Sequence, residues 1–326
     1  MAAGCAAWLA GGPLAFSLVR LAGDGRIVAL RDLPAEHAPT VARLAAAPPP
    51  WAGLPADRPA VMGIVNVTPD SFSDGGVHGD AENAIAAGRA MAAAGADLID
   101  VGGESTRPGA APVSPEAEQA RVLPVIRALA GAGVAVSVDT RNAATMAAAL
   151  DAGARIVNDV SALAHDPAAL HLVAARGCPV VLMHMRGTPT TMQQRTQYED
   201  VASDVTRELA ARLHAAACAG IAHAAIALDP GIGFAKTTAQ NLELLARLPV
   251  LLTLGCRLLV GVSRKGFIER VAGPAAAPQR LGGSLAAALA ALAGGATVLR
   301  VHDVAETVQA LRVWQAVAEN SVTLRN

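Results

Sequence analysis

The chain has 326 residues, is 53% hydrophobic and carries a formal net charge of −1, so it can bury one large α/β core or two smaller ones. Near-neutral charge, with no long basic or acidic run, excludes a nucleic-acid surface and a polybasic membrane patch and leaves small molecules as the expected partners. Cys5, Cys178, Cys218 and Cys256 lie far apart with no CxxC pair, which excludes a zinc ribbon or a disulfide framework and fits a reducing cytoplasm.

Residues 1–59 read as an N-terminal extension to a main unit of residues 60–326. Met1–Val19 is uncharged, but it lacks the basic start of a signal peptide and contains Gly11-Gly12-Pro13. Leu14–Ala22 and Arg26–Leu33 flank Gly23-Asp24-Gly25, which predicts a small β-hairpin. The Ala/Pro-rich stretch Arg43–Pro59 reads as a linker or wrapping segment.

From Val61 onward, apolar runs at Val61–Asn66, Asp97–Val101, Val134–Asp139, Ile156–Asp159, Val180–His184, Ala225–Asp229, Leu258–Ser263 and Thr297–Val301 predict strands. Between them lie Ala-rich helical stretches: Glu82–Ala94, Pro115–Ala130, Asn142–Asp151, Pro167–Arg176, Glu199–Gly220, Ala239–Arg247 and Gln279–Ala293, with Val304–Glu319 closing the series. Strict alternation over about 260 residues predicts an α/β fold, a (β/α)8 TIM barrel with a short N-terminal extension. The alternative, a doubly wound open sheet, would carry an early GxGxxG after a strand, and none is present. Leu281–Leu299 has transmembrane length, but its Ala and Gly content fits a tightly packed helix running into a strand.

In such a barrel chemistry belongs at the carboxyl ends of the strands. Those ends carry Asn66, the loop Gly102–Gly109, Asp139, Asn158 with Asp159, His184, Asp229, Ser263-Arg264-Lys265, and Arg300 with His302. Any one of them could be a helix cap or a loop satisfier, but eight strands ending this way point to one pocket. Asp139, Asn158 and Asp229 offer acceptors and an amide suited to a flat heterocycle with NH2, NH and C=O groups. Lys265, Arg300, His302 and Asn66 suit a phosphate or diphosphate, and the Asn66 oxygen also suits a hard cation. His184 lacks metal-binding partners nearby in sequence and reads as a hydrogen-bonded pocket wall.

Lysine occurs only at positions 236 and 265, the other 24 of 26 basic residues being Arg. A chain built this way keeps Lys where a compact ammonium with three rotatable donors is needed. Gly231–Thr237 imitates a P-loop, but Ala235 and Pro230 stand where GxxxxGK[ST] requires Gly.

The blocks NVTPDSFSDGG (66–76), IDVGGESTRPG (99–109), VDT (138–140), NDVS (158–161), LMHMRGTP (182–189), DPGIGFAKT (229–237), SRKG (263–266), RLGGS (280–284) and RVHD (300–303) occur in order. With them the sequence resembles the dihydropteroate synthase family of pterin-binding barrels, from about residue 61 to 317. The resemblance implies joining of 4-aminobenzoate to the (7,8-dihydropterin-6-yl)methyl group of its diphosphate, with release of diphosphate, and Asp139, Asn158, Asp229 and Lys265 as the catalytic set. It places the pterin diphosphate on Thr106, Asp139, Asn158, Asp229, Lys265, Arg300, Val301 and His302. It places aminobenzoate on Thr106, Arg107, Pro108, Phe234, Ser263 and Lys265, with Mg2+ on Asn66.

In some relatives a Ser follows the SRK lysine; here Gly266 does, and N–H groups of a helix starting there would have to serve instead. Gly75 and Gly76 can serve as hinges and Phe72 as an apolar cover, which predicts that loop Val67–Gly76 closes over the bound substrates; the resemblance implies a homodimer using Leu281–Ala293 and Val304–Glu319. Two rivals are a corrinoid-linked, pterin-dependent methyltransferase and a catalytically silent paralogue. The methyltransferase needs no TRP, SRK or RVH set, and the paralogue would have lost strand-end residues that this chain keeps.

Overall fold

The computed structural model describes residues 6–21, 24–67, 76–107 and 109–323. Among them, β1 (Ala60–Asn66), β2 (Leu98–Gly102), β3 (Val136–Asp139), β4 (Ile156–Asp159), β5 (Val180–Met183), β6 (Ile226–Asp229), β7 (Arg257–Val260) and β8 (Val298–Val301) form a closed parallel barrel. Strand order follows the chain, and β8 closes onto β1 with Arg300 beside Met62. At the carboxyl end the register sets Asn66 beside Gly102, Gly102 beside Asp139 and Asp139 beside Asn158.

These strands read as unbroken apolar runs because both of their faces are buried. Alternation then sorts their residues. Val61, Ile99, Val138, Val157, Leu228 and Leu299 face the helices and join the outer core. Ala60, Met62, Leu98, Ile156, Val181, Ala227, Leu259 and Val298 point inward and fill the amino-terminal half of the barrel together with Trp51 and Leu54. Further up, the inward positions become polar, with Asp100, Asp139, Asn158 and Asp229 all buried.

The connecting helices are α1 (Gly76–Ala93), α2 (Pro115–Gly131), α3 (Ala143–Asp151), α4 (Ala169–Arg176), α5 (Val201–Cys218), α6 (Thr238–Ala246), α7 (Gly266–Ala272), α8 (Leu281–Ala293) and α9 (Val304–Thr323). Local chemistry sets several starts: Ser114 caps α2 through the Ala117 N–H, and Thr237 with Gln240 forms a capping box on α6. The sequence placed the first helix from Glu82, yet α1 begins at Gly76. A helix at Gly266 was only a condition of the reading there, since the seven residues of α7 are too few to show a period; α7 does start at that residue.

Before the barrel, Leu18–Arg20 pairs antiparallel with Ile27–Ala29, and Ala7–Trp8 pairs with Ala15–Phe16. An unforeseen short helix, Ala38–Ala45, follows. The Ala/Pro-rich stretch then wraps the amino-terminal end of the barrel, where the Trp51 indole N–H donates to the Ala225 carbonyl at 2.8 Å. No helix among the described residues is long and apolar enough to cross a membrane.

Candidate active site

The polar layer at the carboxyl end is one hydrogen-bonded network. Arg300, pointing inward from β8, donates from Nε to Asp100 Oδ2 at 2.6 Å and from a terminal nitrogen to Asp139 Oδ2 at 2.7 Å. Asn158 Nδ2 donates to the same Asp100 oxygen at 2.9 Å. Burial raises the Asp139 pKa, while Arg300 beside it pulls the other way. Asp229 is likewise raised by burial and lowered by Lys265, and its Oδ1 accepts from the Gly231 N–H at 2.7 Å. The two carboxylates therefore sit in a dry, cation-balanced layer able to accept N–H bonds from a flat ring.

Lys265 and Lys236 approach this layer from two neighbouring loops. The Lys265 ammonium donates to the Ile232 carbonyl and lies 4.8 Å from the centre of the Phe234 ring. Burial lowers its pKa to about 8, with Asp229 opposing. The buried Lys236 ammonium donates at 3.0 Å to each of Gly231 O, Phe234 O and His184 Nδ1, so three converging acceptors take its three donors. Burial lowers Lys236 to about 7. His184, held neutral by burial at a pKa of about 4, turns Nε2–H to Glu208 at 2.9 Å.

A third support is the Ser263-Arg264-Lys265 turn, in which Arg264 adopts φ +58°. Its N–H donates to Ser284 Oγ at 2.9 Å, its carbonyl accepts from Arg280 at 3.0 Å, and its guanidinium pairs with Asp303. The RLGGS block thus holds this strained turn, with Gly283 leaving room for Ile268, which an added Cβ would meet at 2.2 Å. Ser263 Oγ accepts from the His302 backbone N–H at 3.2 Å and lies 3.1 Å from Nδ1. Burial and then Arg300 lower His302 to about 4, so the ring is neutral at physiological pH and shares one hydrogen between Nδ1 and the Ser263 hydroxyl.

The network brings Asp139, Asn158, Asp229, Lys265, Arg300 and His302 together at one end of the barrel, and Asn66, half-buried, stands beside Gly102 on the same rim. Thr106 is half-buried and Arg107 exposed on the second loop. That loop is pinned at its base by the buried Glu104–Arg141 pair at 2.8 Å, and Gly109 N–H donates to the Pro189 carbonyl at 3.1 Å. Pro108, and residues 68–75 of the expected lid, lie outside the described residues.

One expectation changes. Val301 does not line the site, because alternation on β8 turns it outward into the core beneath the helices. Arg300, expected at the diphosphate, is paired with two carboxylates, so its charge is shared with Asp100 and Asp139. Ser263, expected at aminobenzoate, is buried and its hydroxyl is shared with His302. Sequence reading passed over Asp100, the Glu104–Arg141 pair and the partners of Lys236, although it foresaw an ammonium using three donors. A carboxylate inside the buried strand LIDVG was the available signal for Asp100.

The family model described as pterin binding enzyme matches residues 62–302. A curated dihydropteroate synthase of Neisseria meningitidis serogroup B is 49% identical over 270 residues, which cover 81% of this chain and 94% of the relative. The solved Xanthomonas albilineans dihydropteroate synthase with 4-aminobenzoic acid is 53% identical with a TM-score of 0.76, over 80% of this chain and 93% of that one. The same enzyme in complex with 7,8-dihydropteroate matches at 50% identity and a TM-score of 0.74, over 81% and 95%. With strand-end chemistry, fold and relatives in agreement, the chain belongs to the dihydropteroate synthase family of pterin binding enzymes.

Proposed function

We propose that this chain condenses 4-aminobenzoate with (7,8-dihydropterin-6-yl)methyl diphosphate to give 7,8-dihydropteroate and diphosphate, a transferase step of folate biosynthesis. The observation that carries this reading is the buried layer of Asp139, Asn158 and Asp229 set against Lys265, Arg300 and His302, in a family whose solved members are complexed with 4-aminobenzoic acid and 7,8-dihydropteroate. Asp139 and Asp229 accept the N–H bonds of the aminopyrimidinone edge, and Asn158 completes it. Lys265, half-buried beside the Phe234 ring, holds its charge at the pterin at neutral pH. The neutral His302 donates Nε2–H to a diphosphate oxygen, and the Arg300 charge acts from below.

The methylene C–O bond breaks first, leaving the electron pair on diphosphate, and the developing cation is stabilised by the electron-rich dihydropterin. The arylamine nitrogen then forms the C–N bond, and its proton passes to diphosphate. Asp139 and Asp229 bind and stabilise by charge; no side chain acts as a strong base. Aminobenzoate would lie between the Thr106–Arg107 loop and Phe234.

Asn66 fits Mg2+ as one hard oxygen on the rim, since this ion ordinarily keeps waters and takes its other ligands from phosphate oxygens. When bound there, Mg2+ would neutralise charge on the departing diphosphate. Two further assignments belong to the same reading. The unpaired Cys178, Cys218 and Cys256 suit a reducing cytoplasm. An apolar groove of about 570 Å³ lined by Leu242, Phe267, Val271, Ala286 and Ala290 suits a second copy in a homodimer.

The test is diphosphate release from the dihydropterin diphosphate, 4-aminobenzoate and Mg2+. Turnover that requires both substrates and falls at least about 100-fold in Lys265→Ala, the scale of losing one preorganised charge at the reacting centre, supports the reading. Pterin binding without turnover overturns it.

A further inference from the structure

Asp100 is fully buried in β2, two residues above Leu98 of the apolar plug and two below Gly102 of the rim. It lies level with Ile64 and Ser137, one pleat beneath the ring of site residues. All of its hydrogen bonding passes through Oδ2, which takes Arg300 Nε at 2.6 Å and Asn158 Nδ2 at 2.9 Å; Oδ1 has no partner among the described residues. Arg300 then reaches on to Asp139 at 2.7 Å. One carboxylate therefore binds the two side chains that connect to the substrate layer, without reaching that layer itself.

An amide has a donor end and an acceptor end, and a carboxylate in an ion pair only accepts. Asp100 accordingly fixes the Asn158 rotamer: the NH2 faces down into the barrel and the carbonyl oxygen is the end left for the mouth. Together with Asp139 and Asp229 this gives the ring subsite three acceptors and no competing amide donor. Without the Asp100 carboxylate, Asn158 could turn over and present NH2 to the N–H edge of the ring. Arg300 would also lose the bond that holds its guanidinium level with Asp139.

We propose that Asp100 is the positioning residue of this site, locking Asn158 as an acceptor and Arg300 against Asp139, so that the subsite selects heterocycles whose recognised edge carries N–H donors. The inference rests on the synthase reading above. It predicts partial rescue by a swap: Asp100→Asn with Asn158→Asp keeps the charge count and turns an acceptor oxygen to the mouth, the new amide donating its NH2 to position 158 while Arg300 Nε loses the acceptor that both donors shared.

Kinetics with the dihydropterin diphosphate and 4-aminobenzoate varied separately test this, alongside thermal unfolding of each variant. Asp100→Asn should raise KM for the pterin substrate about tenfold or more, the scale of one inverted buried hydrogen bond, with KM for aminobenzoate within about twofold. Asn158→Asp alone, which sets two carboxylates in contact, should lose pterin affinity at least as severely. The double variant should bring pterin KM at least about threefold below that of Asn158→Asp without reaching the parent value, because the Arg300 bond to position 100 stays lost. A double variant that unfolds like the parent yet binds pterin no better than Asn158→Asp overturns the proposal, and this comparison stands even where Asp100→Asn fails to fold. An Asp100→Asn enzyme with unchanged pterin KM overturns it too. Absence of turnover in the parent chain overturns instead the synthase reading beneath it.

Discussion

His184 shows how a single buried residue sets pH dependence in this fold. Its Nδ1 faces the Lys236 ammonium and its Nε2–H faces Glu208, so a second ring proton would meet a cation in a dry site. Its folded pKa of about 4 lies below the ordinary 6.5. Between those values the unfolded chain binds a proton that the native chain does not. Stability from this residue is complete above pH 6.5 and is lost as pH falls toward 4, by at most about 1.4 kcal/mol per pH unit. Asp159, raised by burial to about 6, works in the opposite direction below that pH, so the net curve understates the histidine. The difference between the parent and His184→Gln, whose amide keeps one donor and one acceptor, isolates it. Urea unfolding from pH 7 to 5 should show the parent losing more stability than the variant. Parallel curves would place the acid sensitivity elsewhere.

The loop between β6 and α6 is ordered by Lys236 rather than by regular structure. Gly231, Gly233 and Ala235 all have positive φ, and a Cβ on Gly231 would lie 1.9 Å from the His184 carbonyl oxygen. One ammonium ties Gly231, Phe234 and His184 together, so Lys236→Ala orphans three acceptors and should cost about 3 kcal/mol. Because the loop carries Phe234, set against aminobenzoate, and the Ile232 carbonyl that receives the pterin-facing Lys265, KM should rise for both substrates. Lys236→Arg should not rescue, since a planar fork cannot fill a pocket made for a rotatable ammonium; full activity in that variant would refute the account. The scarcity of lysine in the sequence marked this residue, and period and composition marked the strands, because βα alternation and buried runs are local signals. The partners of Lys236 were not legible, since His184 is 52 residues away and meets it only when β5 and β6 pair. The same holds for Arg300, whose contact with Asp100 spans 200 residues and closes the barrel; its charge suggested a phosphate, and the two carboxylates that share it came only with the fold. Asn158 and Asp139 were legible as strand ends because that position is itself a local property.

At the scale of the molecule, the barrel has two differently built halves, and the amino-terminal segment belongs to the lower one. Trp51 is 2% exposed and packs among Met62, Leu98, Ile156 and Leu259 inside the strands. Arg257, also fully buried, donates from Nε to the Pro49 carbonyl at 2.9 Å, so its charge is met by backbone oxygens of the same wrapping segment. The family model begins only at residue 62, yet this plug fills the floor of the barrel ahead of that point. Trp51→Ala should therefore cost about 3–5 kcal/mol, the scale of emptying a large aromatic site. Arg257→Met should cost less, because an apolar side chain of similar length removes the burden of a buried guanidinium along with its bonds. Neither change touches the polar layer at the opposite end. At a temperature well below unfolding, kcat/KM for both variants should stay within about twofold of the parent, a difference below about 0.5 kcal/mol in transition-state stabilisation. Chemical denaturation with parallel kinetics measures both quantities. A Trp51→Ala enzyme that keeps its stability would show that the wrapping segment lies on the barrel without supporting it, and one that loses kcat/KM in proportion would show that the floor and the site move as a unit.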